Sequence, residues 1–435
     1  MNSNGSRARR NGLPPRLPPP ARRLKRTLLS DPVRPVRLGP GKTVRELVED
    51  MRGMSLQARN LGACAEVLRA MLEDPDRPTI FLGLAGPLIA AGLRRVLRDL
   101  VAENVVDVVV STGAILYQDV YQARGYRHYR GSPEADDRIL RDLRINRIYD
   151  TYVDEDRFWE TDLWCGRVAD ELPPGPHSSR DFLEALADRL DDPESLLVQC
   201  RRRGVPVFSP ALNDSSIGIG LTEHHRRCVL AGRTPVMIDS IRDNYEIAQI
   251  VAKSRKTAAI FVAGGVPKNY INDATVMGYL FGVERPHAYA LQITTAVTQD
   301  GGLSGSTLSE ARSWGKVGKD ARFAMAWVEP SVSLPLLAAY ALETVRSRRR
   351  PRLEFVWEGE ILREIGLRRP SAAGKAEGPA HPPAGGGGGP AAAGGGADGR
   401  SGSVKRRSPA ASGRRGSGGA WSLPPPARTA TTTAP

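Results

Sequence analysis

The segment Glu310-Ala-Arg-Ser-Trp-Gly-Lys316 holds the residue types that covalent amine chemistry needs. A lysine adds to an electrophilic carbon when burial or a neighbouring charge lowers its proton affinity, and it then carries the carbon as an imine. An indole face such as that of Trp314 can hold a cation, and a carboxylate such as Glu310 can pair with an amine. Together they suit a polyamine, with Lys316 as carrier of a carbon fragment. The same spacing also suits a surface loop with a packed tryptophan and a solvated lysine. Spacing alone leaves both readings open.

A reactive lysine needs a scaffold to position it. Residues 79–84, 105–110, 205–209, 235–238, 258–262, 288–295 and 323–328 read as short apolar strands, and 87–103, 241–253 and 332–346 carry helical spacing. Apolar strands separated by helices predict an α/β fold, a parallel sheet with helices on both faces. Ligands bind such sheets at the carboxyl ends of the strands. The loops expected there are Gly83-Leu-Ala-Gly86-Pro87, Ser111-Thr-Gly-Ala114, 209–216, 263–268, and Thr294-Thr-Ala296 leading to Asp300-Gly-Gly302. Glycines beside small hydroxyls let backbone N–H groups approach a phosphate, so five such loops predict a nucleotide or dinucleotide site. None matches G-x-G-x-x-G or G-x-x-x-x-G-K-[ST], which excludes the standard Rossmann fingerprint and the P-loop.

Charge and composition separate this body from its ends. The chain has 435 residues and a net charge of +14. Residues 1–42 hold eleven basic side chains against one acid, 371–435 hold eight against two, and 43–370 is slightly acidic. The first segment is rich in proline and arginine, and the last in glycine, alanine and proline, including a glycine run at 385–389. Both read as disordered basic arms that cannot bury enough apolar area to fold. Without aromatics among their basic residues, they suggest nucleic acid only weakly. The four cysteines form no C-x-x-C, so neither a disulfide framework nor a cysteine zinc site is expected, and no other metal site is. No apolar run reaches membrane-spanning length and no secretory signal is evident, so a cytoplasmic protein is expected. His224 and His225, adjacent on a helical stretch, are expected to be solvated. Residues 150–155 read as an acidic turn. Tyr117, Tyr121, Tyr126 and Tyr129 with His128 either line a pocket or build a loop.

The Glu310–Lys316 motif, preceded by Asp300-Gly and followed by a strand and Val332-Ser-Leu-Pro-Leu-Leu, resembles the deoxyhypusine synthase family. So do Phe81-Leu-Gly, Val105-Val-Asp-Val, Asn146-Arg-Ile148, Val207-Phe-Ser-Pro-Ala-Leu-x-Asp214, Gly264-Gly-Val-x-Lys268 and Asn272-x-Ala274, in the family's order from about residue 43 to 350. The resemblance implies a Rossmann-like sheet, a homotetramer and NAD bound at subunit interfaces. It implies oxidation of spermidine, transfer of an aminobutyl group to the lysine matching Lys316, and delivery to an acceptor amine. The acceptor is a protein lysine in deoxyhypusine synthases and putrescine in the related homospermidine synthases. Lys316, Trp314 and Glu310 match the family's covalent lysine and its flanks. Thr112, Asp214, Thr295, Ala296 and Asp300 match positions that touch NAD, with Gly86 and Gly113 on the same loops. Gly264 matches a backbone position at the substrate.

The departures run one way. Asn269 stands where the family has its acid–base histidine, and the cofactor loop that usually reads Ser-Asn is Gly86-Pro87. Ile219, Leu303 and Gln118, the last beside Tyr117, stand where the family has carboxylates. Each charged hydrogen bond lost costs about 1.5–3 kcal/mol of binding. The expectation is therefore a deoxyhypusine synthase-like, NAD-dependent transferase with the imine lysine kept and the amine-binding shell rebuilt around Tyr117 and Gln118. The alternatives are a homospermidine synthase-like enzyme and a catalytically silent NAD- or metabolite-binding scaffold.

Overall fold

The computed structural model describes residues 17–348 and 350–368. The expected tail 371–435, and residues 1–16 of the expected N-terminal arm, lie outside the described residues. Six strands make the central sheet: β1 (Thr79–Leu84), β2 (Val108–Ser111), β3 (Val207–Phe208), β4 (Thr257–Val262), β5 (His287–Ile293) and β6 (Val317–Ala326). Their spatial order is β6-β5-β4-β1-β2-β3, and every pairing is parallel. This is the doubly wound order, whose winding reverses between β1 and β4, and ligand crevices open at that reversal. The helices that matter for the site are α1 (Leu56–Glu73), α2 (Gly113–Ala123), α3 (Ser216–Leu230), α4 (Ser240–Lys253), α5 (Gly265–Met277) and α6 (Pro330–Arg348).

Strand side chains alternate between faces, and the two faces feed two cores. Ile80, Leu82 and Leu84 of β1 join Leu68 and Met71 of α1 and Leu334 and Leu337 of α6. Phe81 points the other way, to Ile247 and Ile250 of α4 and Ile271 and Ala274 of α5. Each fully buried side chain of this size contributes about 1.5–3 kcal/mol. At the amino ends, Asp107 accepts from Arg77 at 2.7 Å, Arg350 at 2.9 Å and the Ile80 N–H at 2.9 Å. Burial alone would raise the Asp107 pKa, but the Arg350 and Arg77 guanidiniums outweigh it and push it down to about 2. The parallel sheet covered on both faces is the expected architecture.

Several local expectations change. Residues 235–238 do not join the central sheet: Val236–Ile238 pairs with Gly175–His177 in a separate two-stranded sheet. Its middle residue, Met237, is exposed, which a strand covered on both faces would not allow. In 87–103 the helix begins only at Arg94, because Gly86 and Gly92 take left-handed φ values of 85° and 91°. The acidic stretch 150–155 is not a turn: Thr151–Asp154 is a strand, and Asp154 caps the helix Glu155–Asp170. Within the expected N-terminal arm, Pro19–Leu28 is helical, its prolines tolerated in the first turn, although none of its residues is buried. An antiparallel hairpin, Arg352–Glu358 with Ile361–Arg368, closes the body and went unread in the sequence. Among the described residues no helix is long and apolar enough to cross a membrane.

Candidate active site

The motif around Lys316 is a tight turn that delivers one side chain. Glu310–Arg312 forms a single 3-10 turn. Gly315 then takes φ 69°, a conformation costly for residues with a Cβ. Lys316 is held on both sides: its N–H donates to Ala311 O at 3.0 Å, and its carbonyl accepts from His287 N at 3.0 Å. Lys316 therefore immediately precedes β6 rather than following a strand, and its side chain reaches across to α5. The strand expected to follow the motif is β6.

The side chain of Lys316 is 14 % exposed, and its Nζ lies 2.9 Å from Asp273 Oδ1. Nζ also donates to Asn269 Oδ1 at 3.1 Å and sits 5.3 Å from the Trp314 ring centroid. Asn269 Nδ2 donates to Asp273 Oδ2 at 2.8 Å. Asn269 and Asp273 are four residues apart on α5, hence neighbours on one face, and with Lys316 they form a closed triangle. Lys268, Asn272, Leu303, Ser306, Glu310 and Trp314 complete a cleft of about 570 Å³. Asn272 Oδ1 is buried at its wall with no partner among the described residues.

One wall of the cleft is the loop after β5. Lys268 is 2 % exposed, and its Nζ donates to the carbonyls of Leu303 and Ser306 and to the Ser306 hydroxyl. Burial pushes the Lys268 pKa down to about 8; Glu310 opposes that shift and Lys316 adds to it. Gln292 Nε2 ties Ala263 O to Ser304 O at 2.7 and 2.8 Å. Gly265 N donates to Ser304 Oγ at 2.9 Å. The loop thereby folds onto the start of α5. Ala296 and Asp300 line a second cleft of about 490 Å³, which shares Asn269, Asp273 and Leu303 with the first.

The other sequence-derived positions divide. Gly264 caps the start of α5, where a Cβ would lie 2.6 Å from Ser304 Cα, so the close backbone approach there needs glycine. Gly86, Asp214 and Thr295 are exposed beyond the carboxyl ends of β1, β3 and β5. Thr112 and Gly113 open α2, which starts with no side-chain cap, as does α3 at Ser215. A Cβ on Gly113 would stand 2.4 Å from Ser215 Oγ, so the two helix starts abut. Adjoining uncapped helix starts suit an anionic group, and the nearby Asp214 carboxylate suits sugar hydroxyls. These residues fit a dinucleotide.

Tyr117 and Gln118 do not line either cleft. Both are buried: Tyr117 donates to Phe158 O at 2.8 Å, and Gln118 Oε1 accepts from Ala90 N at 3.0 Å. Tyr121 packs on Tyr126 and His128, so the tyrosine cluster is largely structural packing. His224, expected in solvent, is also buried, with Nδ1 2.9 Å from Asp170 Oδ1 and Nε2 accepting from Val236 N.

The deoxyhypusine synthase family model matches residues 46–341. The chain belongs to the deoxyhypusine synthase family. It is 40 % identical over 339 residues to a deoxyhypusine synthase-like protein of Chlorobaculum parvum, covering 76 % of this chain and 95 % of that one. It is 41 % identical over 304 residues to one of Coxiella burnetii, covering 68 % and 85 %. A third, from Elusimicrobium minutum, is 39 % identical over 302 residues, covering 68 % and 79 %.

Within this deoxyhypusine synthase-like chain, the three positions read as replaced carboxylates lie apart. Leu303 lines the cleft, but Gln118 is a core residue and Ile219 lies exposed on α3, lining neither cleft. The cleft also holds a carboxylate that the sequence reading passed over. Asp273 is the unspecified position of Asn272-x-Ala274, and its spacing of four from Asn269 was the available signal.

Proposed function

We propose that the protein is an NAD-dependent transferase that moves an aminobutyl-type group from a polyamine to an acceptor amine through an imine on Lys316. The observation that carries this reading is the placement of Lys316 Nζ between Asp273 and the Trp314 ring, in a cleft that adjoins the one lined by Ala296 and Asp300. Bound NAD would supply the hydride acceptor for the carbon beside the donor nitrogen, and later return that hydride. Gly86, Thr112, Gly113, Asp214, Thr295, Ala296 and Asp300 would hold it. Trp314 and Glu310 offer an indole face and a carboxylate to the donor's ammonium groups. Lys316 replaces the donor's departing nitrogen at the oxidised carbon, and an acceptor amine then replaces Lys316. The acceptor is a protein lysine or a small amine such as putrescine. By family likeness the enzyme is a cytoplasmic homotetramer.

The test incubates the full chain with NAD and a panel of polyamines and follows release of the diamine fragment. Release that requires NAD and is abolished in Lys316→Ala is the expected result. Absence of cleavage of every amine in the panel would contradict the proposal.

A further inference from the structure

We infer that Asp273 is the acid–base residue of the site, taking protons from Lys316 and returning them to the departing amine. The inference rests on the imine chemistry proposed above and assigns its proton transfers. A lysine adds to carbon only as the free amine, so a base must stand within hydrogen-bond reach of Nζ. Asp273 Oδ1 is 2.9 Å away. Asn269, the other contact of Nζ, is an amide and cannot take a proton near neutral pH. Its role is to fix the pair: its Oδ1 accepts from Nζ while its Nδ2 donates to Asp273 Oδ2, which leaves Oδ1 facing the lysine. Glu310 lines the cleft, but among the described residues no hydrogen bond joins it to Nζ. Asp273 also borders both clefts, and its side chain is 45 % exposed, so its carboxylate can meet amines entering or leaving.

The step balances. The donor enters already oxidised to an iminium, the oxidation that bound NAD would supply as hydride acceptor. Lys316, as an ammonium, passes one proton to Asp273 and its nitrogen lone pair forms a C–N bond to the iminium carbon. Asp273 gives that proton to the donor nitrogen and accepts a second from Lys316. The old C–N bond breaks and its electron pair stays on the departing nitrogen, which then takes the second proton from Asp273 and leaves as an ammonium. Lys316 is left as the iminium and Asp273 as the carboxylate it began as. The reverse sequence hands the carbon to the acceptor. Acid–base function thus resides one helical turn beyond Asn269, on the same face of α5.

The experiment measures the rate at which borohydride traps a fragment on Lys316, with NAD and a polyamine the wild-type protein cleaves. Wild type is compared with Asp273→Asn, Asp273→Glu, and Asp273→Ala with and without formate. General acid–base groups contribute about 10²–10⁴-fold, so Asp273→Asn should trap at least about 100-fold more slowly. Asp273→Glu should restore part of the rate, and formate should restore part in Asp273→Ala, which also shows that variant to be folded. Trapping by Asp273→Asn at the wild-type rate overturns the inference while leaving the imine reading intact. So does a loss in Asp273→Ala that formate does not relieve. Failure of the wild-type protein to trap any fragment overturns the imine reading and this inference together.

Discussion

Lys268 holds Ser306 twice from a buried position, donating to its carbonyl oxygen at 2.5 Å and to its hydroxyl at 3.0 Å. One cation thereby ties the loop that carries Ala296, Asp300 and Leu303 to the helix that carries Asn269 and Asp273. The partners are neutral oxygens, so burial is only partly compensated and the Lys268 pKa falls to about 8.

That shift has a signed consequence. A free lysine titrates near ~10.4, so between about pH 8 and that value the unfolded chain holds a proton at position 268 that the folded chain has lost. Stability from this group therefore rises with pH across that window and is lost as pH falls through about 8. The urea midpoint of wild type relative to Lys268→Met should rise between pH 8 and 10. Parallel pH profiles for the two proteins would count against the assignment.

The Asp107 cluster bears on the scaffold. Removing one partner of a buried ion network costs about 3–5 kcal/mol, so Asp107→Asn should lower the unfolding free energy by that amount in urea titrations at neutral pH. The depressed pKa of Asp107 fixes the pH sign. Its contribution is complete above the ordinary carboxylate range and disappears as pH falls through about 2. A loss under about 1 kcal/mol would show the network to be dispensable.

Tyr117→Phe distinguishes a core residue from a substrate residue. Losing the bond to Phe158 O should cost about 1 kcal/mol of stability. The KM for the amine should not change. A raised KM with unchanged stability would return Tyr117 to the binding site.

Gly305 tests the loop itself. A Cβ there would stand 1.7 Å from Val297 O, so Gly305→Ala must push the loop's two halves apart. A displacement of about 1 Å at a positioning element can cost about 10²-fold in rate. Steady-state turnover should fall by about that factor, and a variant as active as wild type would mean the loop does not position the reacting groups.

The fold was legible where residues report on burial directly. Thr79–Leu84 and Thr257–Val262 are continuous apolar runs because helices cover both faces of the sheet, and composition alone conveys that. Val236–Ile238 shares the composition but pairs elsewhere, and partner choice is not written in three residues. Lys316, Trp314 and Glu310 were legible because they lie in one short turn. Asp273 was hidden because its partner is distant in sequence and only the packing of α5 against the turn before β6 brings them together. Tyr117 and Gln118 lie apart from both clefts for the converse reason. They follow the Thr112 loop closely, but α2 turns them into the core.

Borohydride reduction of the full chain with NAD and a panel of polyamines, followed by peptide mass mapping, tests the central claim most directly. The account expects a single stable adduct of fragment mass on the peptide containing Lys316, dependent on NAD and absent from Lys316→Ala. An adduct at another lysine, or unmodified Lys316 with every polyamine tried, would contradict it.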